Sequence, residues 1–208
     1  MFHQTGLINA FLTITSAIFL AELTDKDALL LLTLATRTKA RLVLAAGSIA
    51  FIMTSAIIVT VGYLLTSIVP VFFITIAGGV IMIGYGAWSF FRAHRGEEKE
   101  VDEAERRIST DASRNVWITI FTMVFFLMLL DLTGDATEVL TILFVARFEN
   151  ILLVFTGAVC ALIAASAVET VIGNRLSKIL TRDRIRIVST LVFLVIGTTA
   201  TLTALLHL

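Results

Sequence analysis

Long apolar stretches make up most of the chain, and short polar connections separate them. The hydrocarbon core of a bilayer is about 30 Å thick and needs about 20 apolar residues per helix. On that measure the pattern predicts spans at residues 7–36, 42–65, 69–91, 115–146, 150–172 and 186–206. The composition agrees, because 58% of the residues are hydrophobic and 15% are charged, against about 25% charged in a soluble domain. We therefore predict an all-α integral membrane protein with six transmembrane helices.

The Lys and Arg residues gather in three connections between the predicted spans. These connections are residues 37–41, 92–114 and 174–186, and they hold all of the 16 Lys and Arg residues except Lys26 and Arg147. Basic residues accumulate on the cytoplasmic side of membrane proteins. We therefore expect the three loops to be cytoplasmic and both termini to lie outside. The start of the chain lacks the basic segment of a signal peptide, and we expect a multi-pass protein of a prokaryotic plasma membrane.

The second half of the chain repeats the first at a shift of 110 residues. Asp25 falls on Asp135 at this shift, and "TDKDALLLLTLATR" (24–37) lies over "GDATEVLTILFVAR" (134–147). With one inserted residue, the glycine of "GYLLTSI" falls on that of "GNRLSKI", so Gly62 matches Gly173. Each half holds three predicted spans, and an odd number makes the second half enter the membrane from the opposite side. Such inverted-topology repeats are typical of secondary transporters.

The repeat also divides the chain. We predict a first three-helix repeat at residues 1–91, a charged cytoplasmic linker at 92–114 and a second three-helix repeat at 115–208.

Polar side chains interrupt the first and fourth predicted spans near their middles. Carboxylates are more numerous than basic side chains in these two spans, where Lys26 is the one basic residue. Charged side chains at membrane depth are rare, costly and usually functional. Protons or a bound cation would offset them, and hard oxygen ligands suit Ca²⁺, Mn²⁺ or Mg²⁺. A site that holds either species is the chemical basis of an exchanger. The polar residues are Glu22, Thr24, Asp25, Lys26 and Asp27 in the first span, and Asp131, Thr133, Asp135, Thr137 and Glu138 in the fourth.

These two segments resemble the Gdt-type family of manganese/calcium–proton exchangers, within the lysine-exporter-like superfamily. That family carries the motif Glu-x-Gly-Asp-Lys/Arg-Ser/Thr in each repeat. The first copy here reads "ELTDKD" (22–27) and the second "LTGDAT" (132–137), and the last span contains "LVFLVIG" (191–197). The departures make the site more acidic, with Asp27 in place of Ser/Thr and Glu138 where a glutamine is common. Asp131 lies one residue before Leu132, which occupies the position of the second motif glutamate.

The resemblance implies a six-span fold and a central divalent-cation site that both motifs form. It further implies cation efflux driven by proton entry, with Mn²⁺ or Ca²⁺ as cargo and no other cofactor. Our expected ligands are Glu22, Asp25 and Asp135, with Asp131 as a fourth and Asp27 or Glu138 as auxiliary groups. Lys26 is expected to pair with a carboxylate in the empty site, where Glu22 and Asp135 would couple to protons. Thr24, Thr133 and Thr137 are expected to line the site.

Alternative functions remain open at the level of sequence. An intramembrane aspartyl protease also needs two membrane aspartates, although "LTGD" (132–135) departs from the Gly-x-Gly-Asp signature of those enzymes. An exporter of an amino acid or a soft metal within the same superfamily is a further option. Our prediction is a transporter and not an enzyme, with the bilayer, a divalent cation and protons as partners. No nucleic-acid partner is expected, and a homo-oligomer is an option that the sequence leaves open. Glu169, at the cytoplasmic end of the fifth span, is expected to be interfacial, with the lining of an exit path as the alternative.

Overall fold

A computed structural model describes residues 2–23, 31, 35, 39–91, 116–131, 136–148, 150–179 and 182–206. Over this part of the chain the fold is all-helical, with seven helices and no strand. The helices are α1 (Phe2–Glu22), α2 (Ala40–Ile68), α3 (Val71–Phe91), α4 (Val116–Asp131), α5 (Ala136–Phe148), α6 (Ile151–Ile179) and α7 (Arg182–Leu206).

The predicted spans correspond to these helices, with differences that follow from chemistry. The fourth predicted span contains α4, which ends at Asp131, and α5, which begins at Ala136, while residues 132–135 lie outside the described residues. The predicted loop at 174–186 is wrong in extent, because α6 continues to Ile179 and α7 starts at Arg182. Hydropathy indicates only the part of a helix that lies inside the bilayer. Lys and Arg are good helix formers, so a helix can continue past the apolar segment.

Helix α5 lies in the interior of the bundle and packs against α1, α2, α3 and α6. Its buried residues include apolar ones such as Leu140 and polar ones such as Thr137 and Glu138. None of its large hydrophobic side chains is exposed, whereas each of the other six described helices exposes at least one. Phe121 on α4, for example, is 72% exposed. An apolar outer surface around a partly polar interior helix is the arrangement expected of a bundle surrounded by lipid.

Helices from the two halves of the chain pack against each other. Helix α1 packs against α6, while α2 packs against α4, α5 and α6, so helices of the first half have neighbours in the second half. The most extensive contact joins α3 to α7. At their crossing, a Cβ added to Gly197 would lie 2.7 Å from the carbonyl oxygen of Gly79. Small residues let the backbones of membrane helices approach each other closely. These two glycines allow such an approach between the last helices of the two halves.

By length and composition, two of the described helices could cross a membrane. These segments are Ala40–Ile68 and Ile151–Thr170, with mean hydropathies of 2.4 and 2.5. Gly6–Glu22, Val71–Ala87 and Phe193–Leu206 are shorter apolar segments.

Candidate functional site

The last residue of α1 meets the first turn of α5. Thr137 Oγ1 donates a hydrogen bond of 3.3 Å to Glu22 Oε2, across 115 residues of sequence. Both side chains are buried, with Glu22 only 1% exposed. Burying a carboxylate is costly without compensating polar contacts. The hydrogen bond from Thr137 offsets part of this cost for Glu22. It joins the first predicted motif to the second.

The helix end itself favours negative charge at this point. The first N–H groups of a helix have no partner within it and carry about half a positive elementary charge. Thr137 and Glu138 both lie in the first turn of α5, and Glu138 is buried as well. Two carboxylates, Glu22 and Glu138, are therefore associated with one positive helix end. Arg147 occupies the last turn of the same helix, where a cation is favoured.

The structure places some of the predicted site residues and not others. Glu22, Thr137 and Glu138 are described in full, and Asp131 is described as the last residue of α4. The remaining predicted residues lie outside the described residues, namely Thr24, Asp25, Lys26, Asp27, Thr133 and Asp135. In the part of the chain that the structure does cover, no three His, Cys, Asp or Glu side chains are grouped to hold a metal ion. The ligand roles therefore stay predictions.

The expectation that Glu169 lies at the level of the membrane interface stays a prediction. Glu169 is buried, with 4% of its surface exposed. It continues the buried stripe of α6, in which Ala158, Ala161 and Ala165 precede it at intervals of three and four residues. That spacing marks one helix face. The stripe is visible in the sequence, and extending it by one step would have predicted the burial of Glu169.

A comparison with protein-family models gives a match described as "Divalent cation/proton antiporter GDT1". It covers residues 10–97 and 120–207. The two matched segments start at residues 10 and 120 and end at 97 and 207, so both ends differ by 110 residues. This is the shift found within the sequence, and the prediction of a repeated chain is confirmed. Comparisons with curated proteins and with solved structures give no match. Because the family model covers most of the chain, the protein belongs to the GDT1 family of divalent cation/proton antiporters.

Proposed function

We propose that this protein exports Mn²⁺ or Ca²⁺ from the cytoplasm in exchange for protons, through one acidic site near the middle of the membrane. The family establishes a membrane transporter that exchanges divalent cations for protons. The direction, the ion and the position of the site are our proposal. The observation that carries it is the hydrogen bond from Thr137 to Glu22, since this contact brings the two repeated motifs to one place.

The charges around this contact explain how one site could serve both ions. Divalent cations such as Ca²⁺ and Mn²⁺ bind carboxylate and hydroxyl oxygens. When the cation leaves, the same carboxylates must be neutralised, because several close negative charges at membrane depth are costly. Protons neutralise them, so loading with the cation and loading with protons exclude each other. The proposed ligands are Glu22, Asp25, Asp131 and Asp135, with Asp27 and Glu138 as auxiliary groups.

Other residues would hold the empty site together. We assign Lys26 to an ion pair with a site carboxylate, from which an arriving divalent cation would displace it. The hydroxyls of Thr24, Thr133 and Thr137 would orient the carboxylates. In the described part of the site, Thr137 already does this for Glu22 at 3.3 Å.

The proposed architecture has six crossings, with α4 and α5 forming one broken crossing and α1 the start of its counterpart. Transporters often bind substrates where broken helices of two inverted repeats meet. The pairing of α1 with α6, and of α2 with α4 and α5, supports this arrangement because equivalent helices have equivalent neighbours. Both termini would then lie outside a prokaryotic plasma membrane, with residues 92–114 in the cytoplasm. Rocking one repeat against the other would open the site to each side in turn.

The test is transport by the purified protein in proteoliposomes with a pH-sensitive dye inside. A gradient of Mn²⁺ or Ca²⁺ should drive proton movement in the opposite direction, and competition between the ions gives the preference. Asp25→Asn and Asp135→Asn should abolish this flux. Asp102→Asn removes a carboxylate from the linker and serves as the matched control, with flux equal to wild type. Unchanged flux in both motif variants would contradict the assignment of Asp25 and Asp135 to the site.

Membership in a transporter family does not favour the protease interpretation, and cleavage of a reporter helix would be the finding that revives it. An exporter of another solute is distinguished in the same liposomes. In that case an amino acid or a soft metal would support counterflow, whereas Mn²⁺ and Ca²⁺ would not.

A further inference from the structure

We propose that Glu169 carries protons between the acidic site and the cytoplasm, on the inner side of the transport pathway. The inference rests on the proposed exchange and adds a residue that neither motif contains. Glu169 lies on α6, near the end of the apolar segment Ile151–Thr170. A buried ionisable group within such a segment is costly to maintain and usually functional.

The face of α6 that carries Glu169 points into the bundle. Ala158, Ala161 and Ala165 on the same stripe are fully buried, whereas Cys160 and Ala164 on another face are exposed. The carboxyl group therefore sits among packed helices and away from the lipid. It can reach a transport pathway inside the bundle without crossing hydrocarbon.

A contact between α1 and α6 locates Glu169 relative to Glu22. Thr15 Oγ1 donates a hydrogen bond of 3.3 Å to the carbonyl oxygen of Gly157, so these residues lie at the same level. In the proposed topology α1 and α6 cross the membrane in the same direction. At about 1.5 Å per residue, Glu169 then lies about 7.5 Å beyond the level of Glu22, on the cytoplasmic side. This is about one and a half helical turns from Glu22.

Hydroxyl groups accompany Glu169 on the same helix. Ser166 and Thr170 are buried, and Thr170 Oγ1 donates to the Ser166 carbonyl oxygen at 2.7 Å. Ser166 Oγ lies beside Gly47 of α2, at 3.8 Å from where a Cβ of that glycine would be. Hydroxyl oxygens have further acceptor capacity. They can therefore position water or a carboxyl proton along the boundary between α2 and α6.

The helices packed against α6 contribute few other described charges. Helix α1 contributes Glu22, and α5 contributes Glu138 and Arg147. Helix α2 contributes Arg41, which follows Lys39. Of these five, only Glu22 and Glu138 are buried, whereas the basic residues are exposed. Glu169 is therefore the buried carboxyl group that α6 itself adds to this set.

The two repeats differ at this position. The residue equivalent to Glu169 in the first repeat is Ile58 or Val59, depending on where the inserted residue falls. In an inverted repeat the equivalent position lies on the outer side of the site. The inner side then has a proton acceptor where the outer side has an aliphatic chain. In an exporter, protons enter from outside and must be released inside, which is the side that carries Glu169.

The step is a proton transfer in which only O–H bonds change. A protonated site carboxyl gives its proton to the Glu169 carboxylate, directly or through water. The Glu169 carboxyl then gives a proton to cytoplasmic water. The vacated site carboxylates bind the next cation.

The experiment compares wild type, Glu169→Gln and Glu169→Asp in proteoliposomes, with Mn²⁺ as the probe and with pH varied on the cytoplasmic face. Glutamine keeps the shape of the side chain and removes the exchangeable carboxyl proton. We expect Mn²⁺-driven proton flux to fall on the order of 100-fold, the lower range for loss of a positioned proton-transfer group. Mn²⁺ affinity at a fixed pH should stay at the wild-type value. Aspartate keeps a carboxyl group and should retain more flux than glutamine.

The opposite order overturns the proposal, since a packing role tolerates glutamine better than the shorter aspartate. Equal flux in wild type and Glu169→Gln overturns it too, and so does a parallel loss of Mn²⁺ affinity, which would make Glu169 a ligand. If the glutamine variant does not fold, the aspartate variant decides. A proton carrier moved by one methylene shifts the dependence of flux on cytoplasmic pH, and an unchanged profile refutes the idea. Absence of exchange in the wild type would overturn the proposed function itself. This outcome differs from a failure of the Glu169 proposal, in which the wild type still exchanges ions.

Discussion

Thr137 donates a hydrogen bond to Glu22, and these two residues belong to different repeats. The contact is buried and lies where α1 ends and α5 begins. Through it, the hydroxyl of one motif contributes to the orientation of the carboxylate of the other.

Replacing Thr137 by Val should weaken cation binding without removing a proposed ligand charge. Loss of a group that orients a metal ligand typically costs about 10–100-fold in metal affinity or activity. Valine has the shape of threonine and lacks the hydroxyl, while Thr137→Ser keeps it and should bind Mn²⁺ nearly as well as wild type. Titration of the purified variants with Mn²⁺ measures this. Equal weakening by Val and Ser would point to packing instead of hydrogen bonding.

Glu138→Gln should shift selectivity toward Mn²⁺. Ca²⁺ accommodates six to eight oxygen ligands, and its affinity depends on how many of them are charged. We expect the Ca²⁺ dissociation constant to rise by about tenfold relative to that of Mn²⁺. Competition between the two ions in the transport assay gives the ratio. Asp102→Asn in the linker is the control, and an unaltered ratio in Glu138→Gln would exclude Glu138 from the site.

Gly197→Ala should destabilise the bundle because the new methyl group would collide with the Gly79 carbonyl oxygen, 2.7 Å away. Overpacking of this kind costs about 1–3 kcal/mol of unfolding free energy. Gly84 on α3 has no atom within 4 Å of an added Cβ, so Gly84→Ala is the matched control. It should leave stability unchanged or raise it by up to about 1 kcal/mol. Thermal unfolding in detergent would show the difference, and equal behaviour of the two variants would contradict the tight crossing.

The proposed orientation predicts which positions can be labelled from outside the cell. In a Cys160→Ser background, a cysteine at Ile68 should react with a membrane-impermeant maleimide in intact cells. Ile68 ends α2 and is 82% exposed. A cysteine at Ser109, in the linker, should react only after the cells are permeabilised. Reaction in the reverse pattern would invert the topology and with it the side assigned to Glu169.

Much of the fold was predictable because membrane helices and internal repeats leave strong patterns. The apolar segment at 42–65 lies within α2, and the one at 69–91 matches α3 apart from its first two residues, because a bilayer sets a minimum apolar length. The 110-residue shift recurs in the two segments that match the family model.

Burial within the bundle was harder to predict, since it depends on which helices are neighbours. Glu169 is polar and near the end of its span, which suggested an interfacial level. Its burial depends on α1, α2 and α5, which pack against α6. The repeat predicted that the two motifs share one site. It did not predict that Glu22 and Thr137 are in direct contact. Hydropathy carries no information on which helices meet, so the distance between these side chains had to come from the structure.

The crossing of α3 and α7 at Gly79 and Gly197 has a mechanical consequence. Two backbones in direct contact cannot move closer, and sliding along each other would drive side chains into the gap that the glycines leave. Rotation about the point of contact is the freedom that remains. We propose that this crossing is the pivot about which one repeat rocks against the other, and that a small change of angle at the glycines displaces the junction of Glu22 and Thr137.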